Sequence, residues 1–271
     1  MELITGLFMD YQQVLLTLAV CYGFILACVI SLWVISILIK NVSIVDLFWG
    51  AGFGFVAVIC YTLQQTGGTH RFILALLPTI WVIRYTIFIF RRNVGHGEDP
   101  RYTKLRSWIK PGDSFNLFSL RKVFLWQGNR MWVVSLPLML GMSLEPVQVG
   151  VLTWVGVIVW AVGFLCEAIA DWQLSRFKKN PENKGKILNT GLWRYSRHPN
   201  YFGNATLWWG IFLVACQNPW CLITVIAPLV MTHMLVNVTG KKTLEKKMMK
   251  EKPGYREYVE STNGFIPWFR K

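Results

Sequence analysis

The sequence predicts an all-α membrane protein with seven transmembrane helices, its N-terminus outside and its C-terminus in the cytosol. Of the 271 residues, 54% are hydrophobic and only 15% are charged. Most of the apolar runs reach the roughly 20 residues that a helix needs to cross about 30 Å of hydrocarbon. Such runs are expected to be helical, because lipid offers no hydrogen-bond partner to exposed backbone groups.

Six of these runs are clear, and a seventh is less regular. The clear ones cover residues 14–39, 43–63, 72–90, 147–170, 203–216 and 220–238. The seventh covers 131–143 and can be extended back to about 123. We expect the first run to persist as a helix rather than act as a cleaved signal peptide, since Glu2 and Asp10, and no Lys or Arg, precede it.

The basic residues predict the orientation. Nine Lys and Arg fall in 91–130, seven in 171–202 and nine after 240, whereas the segments on the opposite side contain only Arg71. Cytoplasmic segments carry this excess in membrane proteins. The net charge of +14 therefore reflects topology and attraction to anionic membrane lipids. Its division among three separate segments argues against nucleic acid as a partner.

Two features that resemble binding motifs are interpreted as packing. The six cysteines form no C-x-x-C pair, and they are small residues mostly within spans, so metal and disulfide roles are not favoured. The stretch GAGFGF (50–55) lacks the spacing of a nucleotide-binding loop and lies inside a span. Gly50 and Gly54 instead form a small-residue face that predicts close helix packing.

Several ionisable residues lie inside predicted spans. Asp46 is one turn into the second span, Arg84 lies in the third, and Glu167 lies in the fifth with Asp171 one turn later. Each costs at least about 2.5–3.5 kcal/mol near mid-bilayer, so each requires a reason. Two compatible explanations stand: a structural cluster, for instance Arg84 neutralising Asp46, or a ligand site that these groups line.

Two polar stretches extend this pattern towards the cytosolic face. In EAIADWQLSRFKK (167–179) the residues Glu167, Asp171 and Lys178 share a helix face. The carboxylates could accept hydrogen bonds from ribose hydroxyls and the lysine could meet a phosphate. The alternative is an ordinary solvated helix end. In LWRYSRHPNYFGN (192–204) Arg194, Arg197 and His198 are candidate phosphate donors. Asn200 and the tyrosines of this stretch could bind and stack on a planar ring.

The basic C-terminal region predicts a short interfacial helix. In KKTLEKKMMKEK the residues Leu244, Met248 and Met249 share one face among lysines, and Pro253-Gly254 ends the pattern. The aromatic stretch that follows, GYREYVESTNGFIPWF, predicts a segment folded back on the bundle.

These stretches together resemble a known family. GLWRYSRHPNYFGN, EAIADWQLSRFKKNPEN and GYREYVESTNGFIPWF are similar to the C-terminal domain of the steroid 5-alpha-reductase family. SIVDLFWGAGF and RRNVGHGEDPRY resemble a bacterial branch of that family labelled as a domain of unknown function. The resemblance covers most of residues 40–270.

The resemblance implies one membrane-embedded domain over residues 1–271 that binds NADPH from the cytosol. Helices one to four would form mainly the substrate side and residues 147–271 mainly the cofactor side. A steroid-like or other lipid substrate would enter from the bilayer, and a carbon–carbon double bond conjugated to a ketone would be reduced. We expect a monomer, in a bacterial inner membrane or, in a eukaryote, in the endoplasmic reticulum.

The resemblance also implies roles for individual residues. Asp46 and Tyr85 match the carboxylate–tyrosine pair that binds the ketone oxygen, and Trp49 is the candidate substrate contact among aromatics that either line the pocket or face lipid. The positions that match cofactor contacts are Glu167, Asp171, Lys178, Asn200, Tyr201 and Asn204, with Arg197 and His198 in the same motif and His96 and Arg101 in the loop after the third helix. Asn204 departs from the glutamate common in the family.

Two alternatives remain open. Isoprenylcysteine and phospholipid methyltransferases carry a related R-H-P-x-Y-x-G run, so a membrane methyltransferase using S-adenosylmethionine is the second hypothesis. A non-catalytic sterol- or lipid-binding protein that kept the fold is the third, and the departure at Asn204 favours it.

Overall fold

The computed structural model describes residues 2–64, 67–93, 97–109, 112–144, 148–238 and 241–269. Over these ranges the chain is helical and contains no strand. The chain divides into two compact units, Met1–Val149 with Ala215–Thr224, and Gly150–Val214 with Val225–Lys271.

The first unit is built on three long helices. These are α1 (Glu2–Leu38), α2 (Val45–Thr62) and α3 (Thr69–Asn93). A short helix, α4 (Pro100–Arg106), follows in the loop, and then come α5 (Phe115–Ser119), a π-helical turn at Leu120–Phe124, α6 (Leu125–Val134) and α7 (Leu136–Ser143). α2 packs most extensively on α3, while α6 and α7 pack against α1 and α2.

The second unit is built on two helices that the sequence brings close together. α8 (Val151–Lys179) and α9 (Pro199–Ala215) are joined by a loop with two 3₁₀ turns, Pro181–Asn183 and Gly191–Arg194. The chain re-enters this unit at Val225, the last residue of a 3₁₀ turn (Pro219–Val225), and continues as α10 (Ile226–His233) and a π-helical turn, Met234–Val238. Two short helices, α11 (Lys241–Glu251) and α12 (Tyr255–Ser261), follow.

Several helices fit an integral membrane protein. Among the described residues, five are long and apolar enough to cross a membrane: Tyr11–Leu38, Val42–Thr62, Thr69–Arg92, Val151–Lys179 and Pro219–Val238. They coincide with five of the seven predicted runs. The other two runs are helical as well, but α9 has only 17 residues and the stretch before Ser143 is divided between α6 and α7.

Glycines determine how α2 meets α3, as the sequence predicts. A methyl group at Gly50 would overlap the ring of Tyr85, and one at Gly54 would lie 3.1 Å from Val82 Cγ1. The Tyr85 ring in turn stacks on Trp81, with ring centroids 5.0 Å apart, and Trp81 is fully buried. The small-residue face therefore brings the two backbones close enough for aromatic residues of α3 to pack directly on α2.

Glycines spaced by seven bring α8 and α9 into backbone contact. A methyl group at Gly156 would lie 2.8 Å from the carbonyl oxygen of Gly210, and one at Gly163 would lie 2.7 Å from that of Gly203. Each of the two α9 glycines meets the α8 backbone in the same way. No larger residue fits these four positions unless the helices separate.

The end of α1 has an unusual residue. The amide of Asn41 donates to the carbonyl of Ser36 (3.0 Å) and that of Lys40 to Ile37 (3.4 Å), the bonding pattern of a helix closed by a left-handed residue. That residue is Lys40, with φ of 54°, and among the described residues it is the only non-glycine with positive φ. Glycine is usual there, since a side chain in this conformation costs roughly 1–2 kcal/mol.

Candidate functional site

Asp46 lies at the centre of a polar cluster in the first unit. Its carboxylate accepts one hydrogen bond from the Tyr102 hydroxyl (2.6 Å) and another from Arg101 Nη2 (2.6 Å). The Asp46 side chain is 14% exposed and that of Arg101 is 45% exposed, so the contact with Tyr102 is the more sheltered of the two. Arg101 is therefore an ion-pair partner of Asp46, and the charged residue that the sequence singled out on α2 does have a compensating cation.

The loop after α3 is fixed to the start of α2 by its acidic residues. Glu98 accepts hydrogen bonds from the Val42 amide (2.9 Å) and from Arg106 Nη2 (2.9 Å), and the Asp99 amide donates to Ser43 Oγ (3.3 Å). Burial favours a higher pKa for Glu98, but the hydrogen bonds from Arg106 and Val42 outweigh it, and the pKa is lowered. The negative charge and the loop position therefore support each other.

Tyr102 is a site residue that the sequence did not reveal. It is buried, its hydroxyl donates to Asp46, and Gln127 Nε2 donates to the same hydroxyl (3.2 Å). Burial raises the pKa of Tyr102 well above its ordinary value, and the adjacent charge of Asp46 raises it further. Tyr102 is thus a neutral hydrogen-bond donor held in place by a carboxylate.

Tyr85 lies on the surface of α3 that faces α2, and Trp49 lies on α2 three residues after Asp46. The Tyr85 ring packs on Gly50, one turn after Asp46, and stacks on Trp81. Trp49 meets Phe53 edge-on, with centroids 5.3 Å apart. His96 lies outside the described residues, and its role in cofactor binding stays a prediction.

A second cluster joins α8 to α9. Asn200 Nδ2 donates to Asp171 Oδ1 (3.1 Å), and Asn204 Nδ2 donates to Glu167 Oε1 (3.2 Å). Both carboxylates are buried, 4% exposed each. Glu167 and Asp171 are four residues apart on α8, and Asn200 and Asn204 are four residues apart on α9. The two hydrogen bonds therefore lie one above the other between the helices, and we call the four side chains the carboxylate–amide ladder.

The ladder accounts for an amide at position 204. A glutamate there would place a second carboxylate against that of Glu167, and two adjacent buried carboxylates cannot both be ionised. Asn204 supplies an N–H donor instead. The amide at this position therefore fits the carboxylate that faces it.

Arg197 and His198 are engaged with the C-terminal region. Arg197 Nε donates to Glu245 Oε1 on α11 (2.8 Å), and Nη1 donates to the carbonyls of Val259 (2.9 Å) and Thr262. His198 Nε2 lies 3.1 Å from the same Glu245 oxygen. These contacts hold α11 and α12 on the 192–198 segment, and a cofactor role for Arg197 and His198 stays a prediction.

The charges of this cluster follow from its burial. Burial alone would raise the pKa of Glu245, but hydrogen bonds from His198 and Arg197 lower it to about 2. Burial lowers the pKa of His198, although Glu245 acts in the opposite direction. We therefore assign an ionised Glu245 held mainly by Arg197, with His198 neutral near pH 7. Glu245 is the second site residue that the sequence did not reveal.

The aromatic C-terminal stretch folds back as predicted. Ser196 Oγ donates to the Phe265 carbonyl (2.8 Å), and the Trp268 amide donates to the Tyr195 carbonyl (3.0 Å). The Tyr258 hydroxyl donates to the Trp193 carbonyl. The backbone acceptors of Trp193 and Tyr195 are thus satisfied by residues far along the chain.

The other predicted cofactor residues lie around the ladder. The Tyr201 ring stacks on His198, with centroids 5.4 Å apart and nearly parallel planes. Lys178 lies in the last turn of α8 and is exposed. Carboxylates, amides, an aromatic ring and a terminal cation are the groups that bind ribose hydroxyls, a planar ring and phosphate.

Comparison with known proteins places the chain in a family. The profile of a family described as "Protein of unknown function (DUF1295)" matches residues 32–262. The chain belongs to this family. The chain is also similar to an uncharacterized protein of Schizosaccharomyces pombe, 28% identical over 265 residues that cover 87% of this chain and 75% of that protein.

A second similarity is local. A protein of Ustilaginoidea virens described as a probable O-methyltransferase, ustE, is 45% identical over 53 residues, which are 20% of this chain and 18% of that protein. No solved structure matches the chain.

Proposed function

We propose that the protein is an NADPH-dependent oxidoreductase that reduces a carbon–carbon double bond conjugated to a ketone in a steroid-like or other lipid substrate. The observation that carries the proposal is the neutral tyrosine hydroxyl held by a carboxylate, Tyr102 on Asp46 at 2.6 Å. The ladder of Glu167, Asp171, Asn200 and Asn204 supports it by offering carboxylate and amide groups suited to ribose hydroxyls.

The chemistry assigned to the chain is stabilisation of an enolate. NADPH, when bound, supplies a hydride to the β-carbon, which leaves negative charge on the ketone oxygen. A fixed neutral donor stabilises that charge most where water is excluded. Because the Tyr102 hydroxyl has a single proton, it would turn from Asp46 to the ketone oxygen, while Gln127 continues to donate to it. The α-carbon then takes a proton from solvent.

Two tyrosines compete for this role. The resemblance favours Tyr85, and the contact with Asp46 favours Tyr102. Both residues belong to the first unit. Enone turnover of the two tyrosine-to-phenylalanine variants compares them. The proposal for the reaction holds with either residue as the donor.

Cofactor binding tests the proposal directly. We expect purified protein in detergent to bind NADPH, followed by the fluorescence of the reduced nicotinamide, and to show no affinity for S-adenosylmethionine. Asp171→Ala removes one hydrogen bond of the ladder and should lower the affinity for NADPH. Glu182→Ala, at an exposed position in the loop between α8 and α9, should leave that affinity unchanged. Binding of S-adenosylmethionine without NADPH would reject the reductase.

Methyl transfer from S-adenosylmethionine is the second candidate, favoured by the local similarity to the probable O-methyltransferase. It predicts a methylated lipid product and no consumption of NADPH. Binding of lipid with no turnover from either cofactor would favour the non-catalytic alternative.

We also propose seven crossings, with the N-terminus outside and the C-terminus in the cytosol. Five helices already meet the length and composition of a span, and α9 and the stretch that includes α6 and α7 supply the other two. This arrangement puts the three basic segments on one side, as the positive-inside rule requires. A bacterial inner membrane, or the endoplasmic reticulum of a eukaryote, has the matching polarity.

A further inference from the structure

A cavity opens at the end of α1 in the first unit. Its volume is ≈ 270 Å³, and its lining combines charged, polar and aromatic side chains. Lys40 and Arg106 supply positive charge, Asn116 supplies an amide, and Ile37 and Phe115 supply apolar surface. The volume lies below the roughly 300–1,000 Å³ typical of sites for drug-sized ligands, so the cavity suits a small charged group rather than a dinucleotide.

The charge of the cavity is unbalanced. Glu98, its one carboxylate, is bound by Arg106 Nε and Nη2 and by the Val42 amide. The Arg106 guanidinium also lies over the Phe115 ring, 4.0 Å from its centroid, which fixes its plane. Lys40 has no carboxylate within ion-pair distance among the described residues. The cavity therefore carries one compensated cation and one uncompensated cation.

The backbone at Lys40 is a second, independent sign. This lysine occupies the left-handed position that closes α1, where glycine is usual. A residue held against its backbone preference points to a role for its side chain. Here that side chain lines the cavity.

The surroundings identify the kind of ligand. The last turns of α1 expose large apolar side chains, with Leu38 at 75% and Ile39 at 53%, and this helix is one of the candidate spans. A ligand in the cavity would thus have its charged part beside Lys40 and an apolar path along α1. A phospholipid has both parts, whereas a free phosphate has only the first.

We propose that this cavity binds the headgroup phosphate of an anionic phospholipid, with Lys40 as the cationic contact and the acyl chains along the exposed face of α1. Basic pockets at the ends of spans recognise anionic headgroups in this way. Neither Asp46 nor Tyr102 lines this cavity, so the proposal does not depend on the reaction.

The test compares lipids by thermal unfolding of the full chain in neutral detergent. We expect short-chain phosphatidylglycerol to raise the unfolding midpoint in a saturable way, and phosphatidylcholine of the same chain length to raise it less. Glycerol 3-phosphate, which has the charge without the chains, should have no effect at equal concentration. An equal effect of glycerol 3-phosphate would overturn the assignment of a lipid.

Variants at Lys40 separate binding from folding. Lys40→Gln should lower the affinity for phosphatidylglycerol about fivefold. This is the equivalent of the roughly 1 kcal/mol that one basic residue contributes beside an anionic surface. Lys104→Gln, at an exposed lysine of α4 outside the cavity, is the matched control and should bind as the unmodified protein does. Unchanged affinity in Lys40→Gln would overturn the proposal.

A glycine variant tests the backbone argument. Lys40→Gly should have an unfolding midpoint equal to or above that of the unmodified protein without lipid, because glycine suits the left-handed conformation. It should nevertheless show the same weakened response to phosphatidylglycerol as Lys40→Gln. A lower midpoint without lipid would show that the lysine side chain serves the fold, and would overturn the inference.

Discussion

At the residue scale, a carboxylate inside an apolar span is stable only with a hydrogen-bond or ion-pair partner. Asp46, Glu167 and Asp171 each have a partner in the structure, as the cost of burying an isolated charge requires. The partners themselves were harder to predict. Tyr102 lies 56 residues from Asp46 in sequence, and Glu245 lies 48 from Arg197, so no local pattern links them.

Replacement of the tyrosines tests which hydroxyl acts. We expect Tyr102→Phe to keep the buried ring and to lower enone turnover by about 10²–10³, the usual loss for one oxyanion donor. NADPH affinity should be unchanged in a direct titration. If Tyr85→Phe abolishes turnover while Tyr102→Phe retains it, the resemblance is the better guide and the assignment of Tyr102 is wrong.

The ion pair of Glu245 predicts a dependence of stability on pH. Since its pKa is lowered from 4.5 to about 2, the pair stabilises the fold above pH 4.5 and is lost as the pH falls towards 2. Glu245→Gln should therefore cost stability at neutral pH, at most about 3 kcal/mol, and the difference should shrink on acidification. The measurement is the unfolding midpoint of both proteins across this range, with Glu260→Gln at an exposed position as the control. A difference that does not vary with pH would contradict the assignment.

At the element scale, small residues were predicted in part. The face of Gly50 and Gly54 was recognisable because the two are spaced by four inside one span, and it packs as expected. The contact of Gly156 and Gly163 with Gly203 and Gly210 was not recognisable, since the two pairs lie on different helices and nothing in the sequence links one pair to the other. It nevertheless decides how closely the carboxylates of α8 approach the amides of α9.

A methyl group at the α8–α9 contact should disturb the ladder. The added methyl of Gly163→Ala would overlap the backbone of α9. We therefore expect the free energy of unfolding to fall by about 1–3 kcal/mol and the hydrogen bonds of Glu167 and Asp171 to lengthen. Gly23→Ala is the matched control, because nothing lies within 4 Å of that position on α1. It should stabilise the helix by roughly 0.5–1 kcal/mol. Equal midpoints for the two variants in thermal unfolding would contradict the close contact.

At the scale of the whole molecule, composition was sufficient for the helical class, and the residues from Tyr11 to Val238 contain five helices that meet the criteria of a span. The stretch before Ser143 is broken at Ser135, ahead of Pro137 in the first turn of α7, since proline lacks the N–H that a continuous helix needs. Two topologies are to be distinguished, one with seven crossings and one with only the five helices that are long and apolar enough to span. Seven crossings place residues 180–191 in the cytosol, and five place them outside.

Labelling of introduced cysteines distinguishes these topologies. With seven crossings, Lys184→Cys should be protected from a membrane-impermeant thiol reagent in intact cells and become reactive after permeabilisation. Gly68→Cys, at an exposed position between α2 and α3, should react in intact cells in either case. Reaction of Lys184→Cys in intact cells would establish five crossings instead.

The central claim is that the protein transfers hydride from NADPH to an enone lipid. The most direct measurement is mass spectrometry of the product formed from a panel of steroid-like and other enone lipids with NADPH deuterated at the transferred position. We expect one substrate of the panel to gain a single deuterium at its β-carbon. A product that instead gains a methyl group from S-adenosylmethionine, with no deuterium incorporated from NADPH, would contradict the account.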